Sequence, residues 1–425
     1  MRIAYITAGA GGTICGNCLS DNALATAMRK LGHDVILLPI YTPIRTDEND
    51  ISEERVFLGG VNIYLQQRYP LFRKVPRFLD RVLDHPALLR QVSRYAVKTL
   101  PEELGALTLA TFQGEAGPLG KEIDRLVDGL RSLRPEVVHL TNSMLVGLAE
   151  PIRRELGIPV VCSLQGEDVY LKGLPEPFQS QCLATLASNA GHVDQFIAPS
   201  RDHARTLGPW MNRPVEDIWV VYPGISLDGL GKGAPRDGKN FSIGYVARIA
   251  PEKGLDLLTR AFAGMSRSSD VSLKVAGWLS PEHEPFFDSE LQAFIESQGL
   301  ADRWRVQRDV SREQKAALLR DIDVLSVPTT YGASKGLYVL EAWACGVPVV
   351  QPRIGIFPEL IDVAGGGLLF EPGSIDQLQG ALERVISDPA EATKMGELGR
   401  KAVHERFTAE RAARETLIAY NSLMN

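Results

Sequence analysis

The sequence predicts an α/β protein of two doubly wound domains, each with a parallel sheet. Short apolar segments with strand character alternate with segments of helical apolar spacing, as in parallel sheets that helices cover on both faces. The alternation occurs twice, first from Arg2 and again from Phe241, without repetition of the sequence itself. A stretch rich in Gly, Pro and Asp at 222–240 lacks an apolar period and predicts a linker between the two domains.

The first series begins with a strand at 2–7 and the glycine-rich AGAGG. A helical pattern follows over DNALATAMRKLGHDV, which Gly32 ends. Further strands are predicted at 35–40, 136–140, 159–164 and 195–200, with helices near 144–155 and 176–190.

The second series repeats this architecture. Its predicted elements are FSIGYV at 241–246, LDLLTRAFAGM, SLKVAG, a helix near 285–298, WRVQ, a helix near 312–320, DVLSVP, LYVLEAWACG and VPVVQP. Two such domains facing each other form a cleft at the carboxyl ends of both sheets, where open α/β sheets bind ligands.

Size, charge and cysteines narrow the class of protein. A chain of 425 residues predicts two or three domains, and a net charge of −6 provides no basic field for nucleic acid. The apolar start MRIAYIT ends at Gly9 without a cleavage site, and no stretch has the length of a membrane span. Five irregularly spaced cysteines suit reduced thiols, so we expect a cytoplasmic protein. Cys15 and Cys18 form a C-x-x-C that we interpret as small residues at a loop-to-helix turn.

An insertion at 46–120 interrupts the first series. Within it, the segment 64–90 interleaves aromatic residues with six Arg or Lys against two Asp. A basic amphipathic face of this kind docks on anionic membrane or holds an acidic acceptor. The alternative is a helix that packs its apolar residues on its own domain and exposes its arginines to water.

Two cations mark the first strand-to-helix turn of the second domain, in VARIAPEKGLDLLTRAF. Arg248 follows the strand, and Lys253 precedes the helix that we expect to start at Gly254. Two cations near a helix N-terminus suit a diphosphate, which Arg grips with two hydrogen bonds and Lys attracts as a point charge.

A second candidate binding segment is YGASKGLYVLEAWACGVPVVQPRIG at 331–355. Gly336 allows backbone N–H groups to approach a ligand at the start of the following helix. Glu341 lies one turn later among apolar residues that would bury it, on the face that points toward the ligand if Gly336 does. A carboxylate there can accept hydrogen bonds from the two hydroxyls of a ribose.

The segments R-x4-EKG, LEAWACGVPVV and G-x-x-PELI-x5-GGLL resemble those of family 4 retaining glycosyltransferases of the GT-B fold. In the first domain, GG followed by LATAMRKLGHDV, PEVVHL and GIPVV-x3-QGED are similar to the same family. The resemblance spans nearly the whole chain except 46–120, where GVNIYLQQRYPLF resembles bacterial glycogen synthases. It implies an N-terminal acceptor domain at 1–222, a linker at 223–240, a donor domain at 241–405, and a C-terminal helix at 406–425 packing on the N-terminal domain.

The resemblance assigns roles to residues of the second domain. It implies that Arg248 and Lys253 hold the diphosphate of the donor and stabilise the leaving group. The second acid of the family's E-x7-E motif matches Glu341, which would bind the ribose. The base would lie near 308–310.

It also implies that backbone groups approach the donor from both domains. In the second domain these are the backbone groups of Gly336, Leu337 and Tyr338, along the diphosphate. In the first domain, Gly11 and Gly12 match the loop that approaches donor and acceptor.

The sequence departs from the family at two positions. Ala333 stands where the first acid of E-x7-E is expected, and Gln165 stands where the family has a histidine near the reacting sugar. Gln165 keeps its place among the expected donor-binding residues, because an amide donates and accepts hydrogen bonds but carries no charge. Loss of one charge-assisted hydrogen bond costs about 1.5–3 kcal/mol. Neighbouring side chains that can substitute are those of Ser334, Lys335, Glu167 and Asp168.

These features predict a retaining glycosyltransferase that takes a UDP-, GDP- or ADP-sugar as donor. The acceptor is not defined, and we expect no bound cofactor and no metal, since no Asp-x-Asp or His/Asp cluster occurs. The main alternative is a degenerate, non-catalytic member that binds nucleotide-sugar or glycan. A dinucleotide-dependent oxidoreductase is disfavoured because Ile14 takes the place of the last glycine of G-x-G-x-x-G. The EKG and PELI segments disfavour a nucleotide-sugar epimerase.

Overall fold

The chain forms two compact units, and each contains one six-stranded parallel sheet. The first unit comprises Met1–Gly224 with Ala409–Asn425, and the second comprises Ile225–Thr408. The predicted fold class of two doubly wound parallel α/β domains is confirmed. The computed structural model describes residues 1–9, 16–44, 46–53, 101–233, 240–265 and 271–424.

The sheet of the first unit has the strand order β2-β1-β3-β4-β5-β6. Its strands are β1 (Arg2–Thr7), β2 (Asp34–Pro39), β3 (Val137–Leu140), β4 (Val160–Ser163), β5 (Gln195–Ala198) and β6 (Ile218–Val220). The first five were predicted from their apolar runs, whereas β6 is an edge strand of three residues and was not.

Eight helices of the described chain belong to this unit. They are α1 (Gly16–Lys30), α2 (Pro101–Gln113), α3 (Gly120–Leu133), α4 (Ala149–Leu156), α5 (Glu167–Lys172), α6 (Phe178–Asn189), α7 (Arg201–Leu207) and, from the end of the chain, α16 (Ala409–Ser422). Helix α1 begins five residues before the predicted pattern at Asp21, and it carries the buried Cys18.

Both faces of this sheet are covered, because successive side chains of a strand point to opposite faces. On β1, Ala4 and Ile6 pack into a core with residues of α3, α4 and α6. Ile3 and Tyr5 pack on the other face with residues of α1 and α16. The described end of the predicted insertion includes α2, whose Phe112 is fully buried in the first of these cores. Residues 64–90 lie outside the described part of the chain.

The sheet of the second unit has the order β12-β11-β10-β7-β8-β9. Its strands are β7 (Phe241–Val246), β8 (Val271–Gly277), β9 (Trp304–Arg308), β10 (Val324–Leu325), β11 (Val349–Pro352) and β12 (Gly367–Phe370). Its α-helices are α8 (Leu255–Gly264), α9 (Glu284–Phe286), α10 (Ala293–Ser297), α11 (Arg312–Arg320), α12 (Leu337–Ala344), α13 (Phe357–Ala364), α14 (Ile375–Ser387) and α15 (Pro389–Arg406). The predicted helix near 285–298 is instead α9 and α10 joined by a π-helical turn at Phe287–Gln292.

Helix α12 is fixed in the second unit by Trp343. Its ring is fully buried, and its Nε1–H donates a 2.8 Å hydrogen bond to the carbonyl of Gly366. A Cβ atom on Gly366 or Gly399 would lie 2.5 Å and 2.4 Å, respectively, from the indole ring, so these two glycines leave the space that the ring fills. This packing holds the helix that carries Glu341.

The C-terminal helix α16 is joined to the first sheet by a buried polar contact. His139 on β3 is fully buried, its Nδ1 shares a hydrogen bond with the hydroxyl of Tyr420, and its Nε2 lies 2.7 Å from Ser163 Oγ. Burial raises the pKa of Tyr420 well above its usual value, so the phenol stays protonated.

Replacement of Tyr420 by Phe should destabilise the first unit. The change removes the hydroxyl that is hydrogen-bonded to the buried imidazole of His139, and loss of such a bond costs about 0.5–1.5 kcal/mol. Thermal melting measured by circular dichroism should show a lower midpoint for Tyr420→Phe. Ile418→Ala on the same helix is the control, because Ile418 is 55% exposed and its truncation should change little. Equal midpoints for the two variants would contradict this view of the contact.

Candidate functional site

The loop after β7 carries Arg248 at the carboxyl edge of the second sheet. Tyr245, fully buried on β7, donates a 2.9 Å hydrogen bond from its hydroxyl to the carbonyl of Arg248 and so fixes the backbone there. The Arg248 side chain is 44% exposed, and its Nη2 lies 2.5 Å from Glu252 Oε1. An exposed guanidinium with further N–H donors can take up a ligand oxygen.

Lys253 lies five residues further along the same loop. Its ammonium donates to the hydroxyl of Tyr331 and lies 4.8 Å from the centroid of that ring. Within the described ranges no carboxylate lies within ion-pair distance of Lys253. The ammonium therefore contacts a hydroxyl and a ring rather than a carboxylate and remains available to an anion.

Gly254 brings two loops of the second unit into contact. Its φ is +69°, and a Cβ atom at this position would lie 1.9 Å from the carbonyl oxygen of Pro328. Beside it, the N–H of Thr330 donates a 3.1 Å hydrogen bond to the carbonyl of Glu252. Because any side chain here would clash with that carbonyl, glycine at 254 allows the loop that carries Lys253 to approach the loop that carries Tyr331.

The second loop leads into helix α12 through Gly336. Gly336 has φ +59° and is the N-cap of the helix, whose first residues are Leu337 and Tyr338. The first N–H groups of a helix have no partner within it and form a site of positive potential. The hydroxyl of Tyr338 is buried without a hydrogen-bond partner, and burial, with Tyr331 and Tyr245 nearby, raises its pKa well above the usual value.

Glu341 is buried on α12, as the apolar residues around it predicted, and its partner is Lys315 on α11. Lys315 Nζ donates a 2.6 Å hydrogen bond to Glu341 Oε1, and both residues are 8% exposed. Lys315 was not predicted as a site residue from the sequence. The available signal was a lysine among the buried positions of an amphipathic helix, which requires a nearby acid.

Ala333 is 6% exposed and packs against the turn after β11. Its carbonyl accepts a 3.0 Å hydrogen bond from the N–H of Ile356, and a Cβ on Gly355 would lie 2.7 Å from its backbone N and O atoms. Ala333 is thus fixed through its backbone in the loop that precedes α12.

Arg308, where the base was predicted to lie, ends the edge strand β9. Its guanidinium lies 4.6 Å from the centroid of the Phe287 ring and 3.9 Å from Asp288. A cavity of about 330 Å³ is lined by Arg308, Phe287 and Trp304, among other residues. No contact in the described chain joins Arg308 to Arg248 or Lys253.

In the first unit, Gln165 is buried at the carboxyl end of β4. Its Nε2 donates a 3.1 Å hydrogen bond to Asp21 Oδ1, and Thr7 Oγ1 donates to the other oxygen of Asp21 at 2.9 Å. The backbone N–H groups of Gln165 and Ser143 both donate to the carboxylate of Glu167 at 2.6 Å. Two loops at this edge are therefore joined by one buried carboxylate.

Two predicted features fall on residues outside the described ranges. One is the pair Gly11 and Gly12, and the other is the basic segment 64–90, so its contact with anionic membrane stays a prediction. Among the helices in the described ranges, none has the length and apolarity needed to cross a membrane.

The structure thus presents a two-unit α/β protein of the Rossmann-like class, with two cations and a helix N-terminus grouped in the second unit. Residues 22–224 match the family described as Glycosyl transferase 4-like domain, and residues 232–402 match Glycosyl transferases group 1. Together the two matches take in most of the chain. The chain belongs to the family 4 glycosyltransferases of the GT-B fold, and the resemblance found in the sequence is confirmed.

Two curated relatives of the chain are 30% and 28% identical to it over the matched residues. The chain is 30% identical over 208 residues to the MMP alpha-(1->4)-mannosyltransferase of Mycolicibacterium hassiacum, a match of 48% of either chain. It is 28% identical over 293 residues to the D-inositol 3-phosphate glycosyltransferase of Segniliparus rotundus, covering 64% of this chain and 63% of that protein. The chain therefore spans about half to two thirds of the length of these relatives.

Solved structures share the whole fold. Sucrose-phosphate synthase from Thermosynechococcus elongatus has a TM-score of 0.72 at 19% identity, covering 100% of this chain and 99% of that one. Anabaena Alr3699/HepE in complex with UDP has a TM-score of 0.71 at 18% identity and covers 100% of both chains. At these identities the similarity establishes the fold alone.

Replacement of Lys315 by Met should destabilise the second unit strongly. The variant leaves Glu341 buried without its cation, and removal of one partner of a buried pair costs about 3–5 kcal/mol. Chemical denaturation followed by tryptophan fluorescence measures the loss. The double variant Lys315→Met/Glu341→Leu should regain much of this stability, because no charge is then left buried. A single variant as stable as the parent would contradict the assigned pairing.

Replacement of Gly254 by Ala should cost more than the same change at another glycine with positive φ. Gly373 has φ +77°, and a Cβ atom there would have nothing within 4 Å, so Gly373→Ala measures backbone strain alone, about 1–2 kcal/mol. Gly254→Ala adds a clash with the Pro328 carbonyl and should lose at least about 1 kcal/mol more. If Gly254→Ala and Gly373→Ala lost the same free energy of unfolding, the contact between Gly254 and Pro328 would contribute nothing to stability.

Proposed function

We propose that this glycosyltransferase binds a nucleoside-diphosphate-sugar in its second unit and transfers the sugar with retention of configuration, without a metal ion. The observation that carries the proposal is the pair of cations, Arg248 and Lys253, on one loop that contacts the loop leading into helix α12. The Lys253 ammonium donates a hydrogen bond to the hydroxyl of Tyr331. A diphosphate supplies an anion to Lys253 and can replace Glu252 as the partner of Arg248.

Each part of the donor has a candidate partner in this unit. The Arg248 guanidinium can grip phosphate oxygens, and the Lys253 ammonium can add a mobile charge. Backbone N–H groups at Gly336, Leu337 and Tyr338 lie where an anion gains from the helix N-terminus. Lys315 occupies one oxygen of Glu341 and leaves the other to accept from a ribose hydroxyl.

The proposed reaction needs positioning and charge stabilisation more than it needs a protein base. The bond between the anomeric carbon and the diphosphate oxygen breaks, and its electron pair stays with the departing diphosphate. The acceptor oxygen bonds to the anomeric carbon on the same face, and its proton passes to the departing phosphate oxygen. Arg248 and Lys253 would stabilise the charge that develops there. An uncharged Gln165 is compatible with this scheme.

The relatives support a nucleotide-sugar donor. Anabaena HepE has been solved in complex with UDP and with UDP-glucose, and the curated relatives are named as a mannosyltransferase and as glycosyltransferases. Screening UDP-, GDP- and ADP-sugars by thermal shift identifies the donor, because a ligand that binds the native state raises the melting temperature.

A second candidate function is binding of a nucleotide-sugar or glycan without catalysis. Ala333 and Gln165 favour it, because an acid and a histidine expected near the reacting sugar are missing. Hydrolysis of the donor by the purified protein, absent in Arg248→Ala, supports the enzyme. Donor binding without turnover, with or without candidate acceptors, supports the binding function.

Removal of either cation should weaken binding of nucleoside diphosphates. Arg248→Ala and Lys253→Ala each lose a charge-assisted interaction of about 1.5–3 kcal/mol, which raises Kd by about ten- to a hundred-fold. Isothermal titration calorimetry with UDP, GDP and ADP measures the change. Lys401→Ala is the control, because Lys401 is 71% exposed on helix α15. Unchanged affinity in both site variants would refute the diphosphate proposal.

A further inference from the structure

Three buried oxygen atoms without hydrogen-bond partners lie at the carboxyl edge of the first sheet. Thr141 Oγ1 and Ser143 Oγ follow β3, and Asp168 Oδ1 follows β4 on helix α5. The three residues are 1%, 1% and 8% exposed, respectively. Of the three, only Asp168 was considered above as a replacement for the acid and the histidine that the family has at positions 333 and 165.

The sheet places these residues together. Strands β3 and β4 are adjacent, with Leu140 opposite Cys162. Beyond the strand ends, Glu167 accepts the backbone N–H of Ser143 at 2.6 Å and so joins the segment of Ser143 to that of Asp168. Thr141 is held in the same place by a 3.0 Å hydrogen bond from its N–H to the carbonyl of Ile6 on β1.

Neighbouring polar groups at this edge have hydrogen-bond partners, whereas the three oxygen atoms have none among the described residues. Glu167 accepts two N–H groups, Gln165 donates to Asp21, and Asn142 Oδ1 accepts the N–H of Met144 at 3.1 Å. A buried polar group without a partner costs free energy of folding, so three such groups beside a bonded network require a partner such as a bound water or the hydroxyl of a ligand.

The chemistry of these atoms defines that partner. A carboxylate oxygen only accepts hydrogen bonds, whereas threonine and serine hydroxyls donate and accept, a combination that suits the hydroxyl groups of a polyol. The described part of this edge holds the carboxylates of Asp21, Glu167 and Asp168. Within the described ranges, the cation paired with Asp168 is Lys172, which is 59% exposed and lies 3.8 Å from Oδ2. The negative charges of three carboxylates at one edge of the sheet repel a phosphate.

We propose that the acceptor of the transfer is a neutral polyhydroxy compound, a sugar or cyclitol without phosphate, and that Asp168 accepts one of its hydroxyls beside Thr141 and Ser143. The inference rests on the proposed function, since it describes the second substrate of the same reaction. It differs from what the relatives named D-inositol 3-phosphate glycosyltransferase imply, because their name specifies a phosphorylated acceptor.

Release of nucleoside diphosphate from the donor, measured with matched acceptor pairs, tests the proposal. The pairs are myo-inositol against its monophosphates, glucose against glucose 6-phosphate, and mannose against mannose 6-phosphate. At least one neutral member should stimulate release about tenfold more than its phosphate does. Preference for the phosphates, or no stimulation by any neutral polyol, overturns the proposal.

Variants separate acceptor recognition from structure. Asp168→Asn keeps the shape and removes the charge, so KM for the neutral acceptor should rise about ten- to a hundred-fold, while Kd for the nucleoside diphosphate stays unchanged. Glu150→Gln is the matched control, because Glu150 lies on α4 with its side chain 56% exposed. An unchanged KM in Asp168→Asn overturns the assignment.

Thr141→Val keeps the proposal testable if Asp168→Asn does not fold. Because the Thr141 hydroxyl has no partner among the described residues, its removal should leave the melting temperature equal or higher, while KM for the neutral acceptor rises. A lower melting temperature with an unchanged KM would mean a structural role. Failure of the proposed function is a different result: the unmodified protein would then not bind nucleoside diphosphates.

Discussion

The candidate donor site depends on the close approach of two loops at Gly254. With φ +69° and no side chain, Gly254 lies against the carbonyl of Pro328, where any Cβ atom would clash. The loop after β7 and the loop before α12 are consequently in contact, and Lys253 reaches Tyr331 across them. A glycine in the EKG segment is thus a steric requirement of the site rather than a source of flexibility.

Three cations of the second unit differ in how their charges are balanced, and the difference separates their roles. Lys315 is buried against Glu341, so its charge is balanced within the protein by that carboxylate. Arg248 is paired with Glu252 at the surface, where such a pair is weak and easily exchanged for a ligand. Lys253 has only a phenol as its partner in the described chain, which leaves it the cation best able to accept an anion.

The carboxyl edge of the first sheet carries buried acidic and amide side chains, whereas the site in the second unit carries cations. Where the family has a histidine, Gln165 is held by Asp21, and Glu167 fixes the backbone of the same loop. An amide that donates to a carboxylate has a fixed orientation and no charge to change with pH. The same edge contains the oxygen atoms of Thr141, Ser143 and Asp168 that have no partner, a pattern suited to hydroxyl groups.

Apolar runs along the chain were sufficient to predict most of the strands and the cations that follow them. Strands β1 and β7 have the predicted bounds, 2–7 and 241–246, because strands buried on both faces are continuous apolar runs. Arg248 and Lys253 were found because a loop following such a strand must lie at its carboxyl end. Short edge strands such as β6 carry too few residues for a pattern.

Contacts between residues that are distant along the chain could not be predicted from the sequence. Lys253 and Tyr331 are 78 residues apart, Lys315 and Glu341 are 26 apart, and Asp21 and Gln165 are 144 apart. Periodicity reports which face of an element is buried, but not which distant side chain lies opposite. Parallel strands bring the loops of Lys253 and Tyr331 to one edge of a sheet, and packing of helix α11 on helix α12 brings Lys315 to Glu341. The chain acquires both arrangements only on folding.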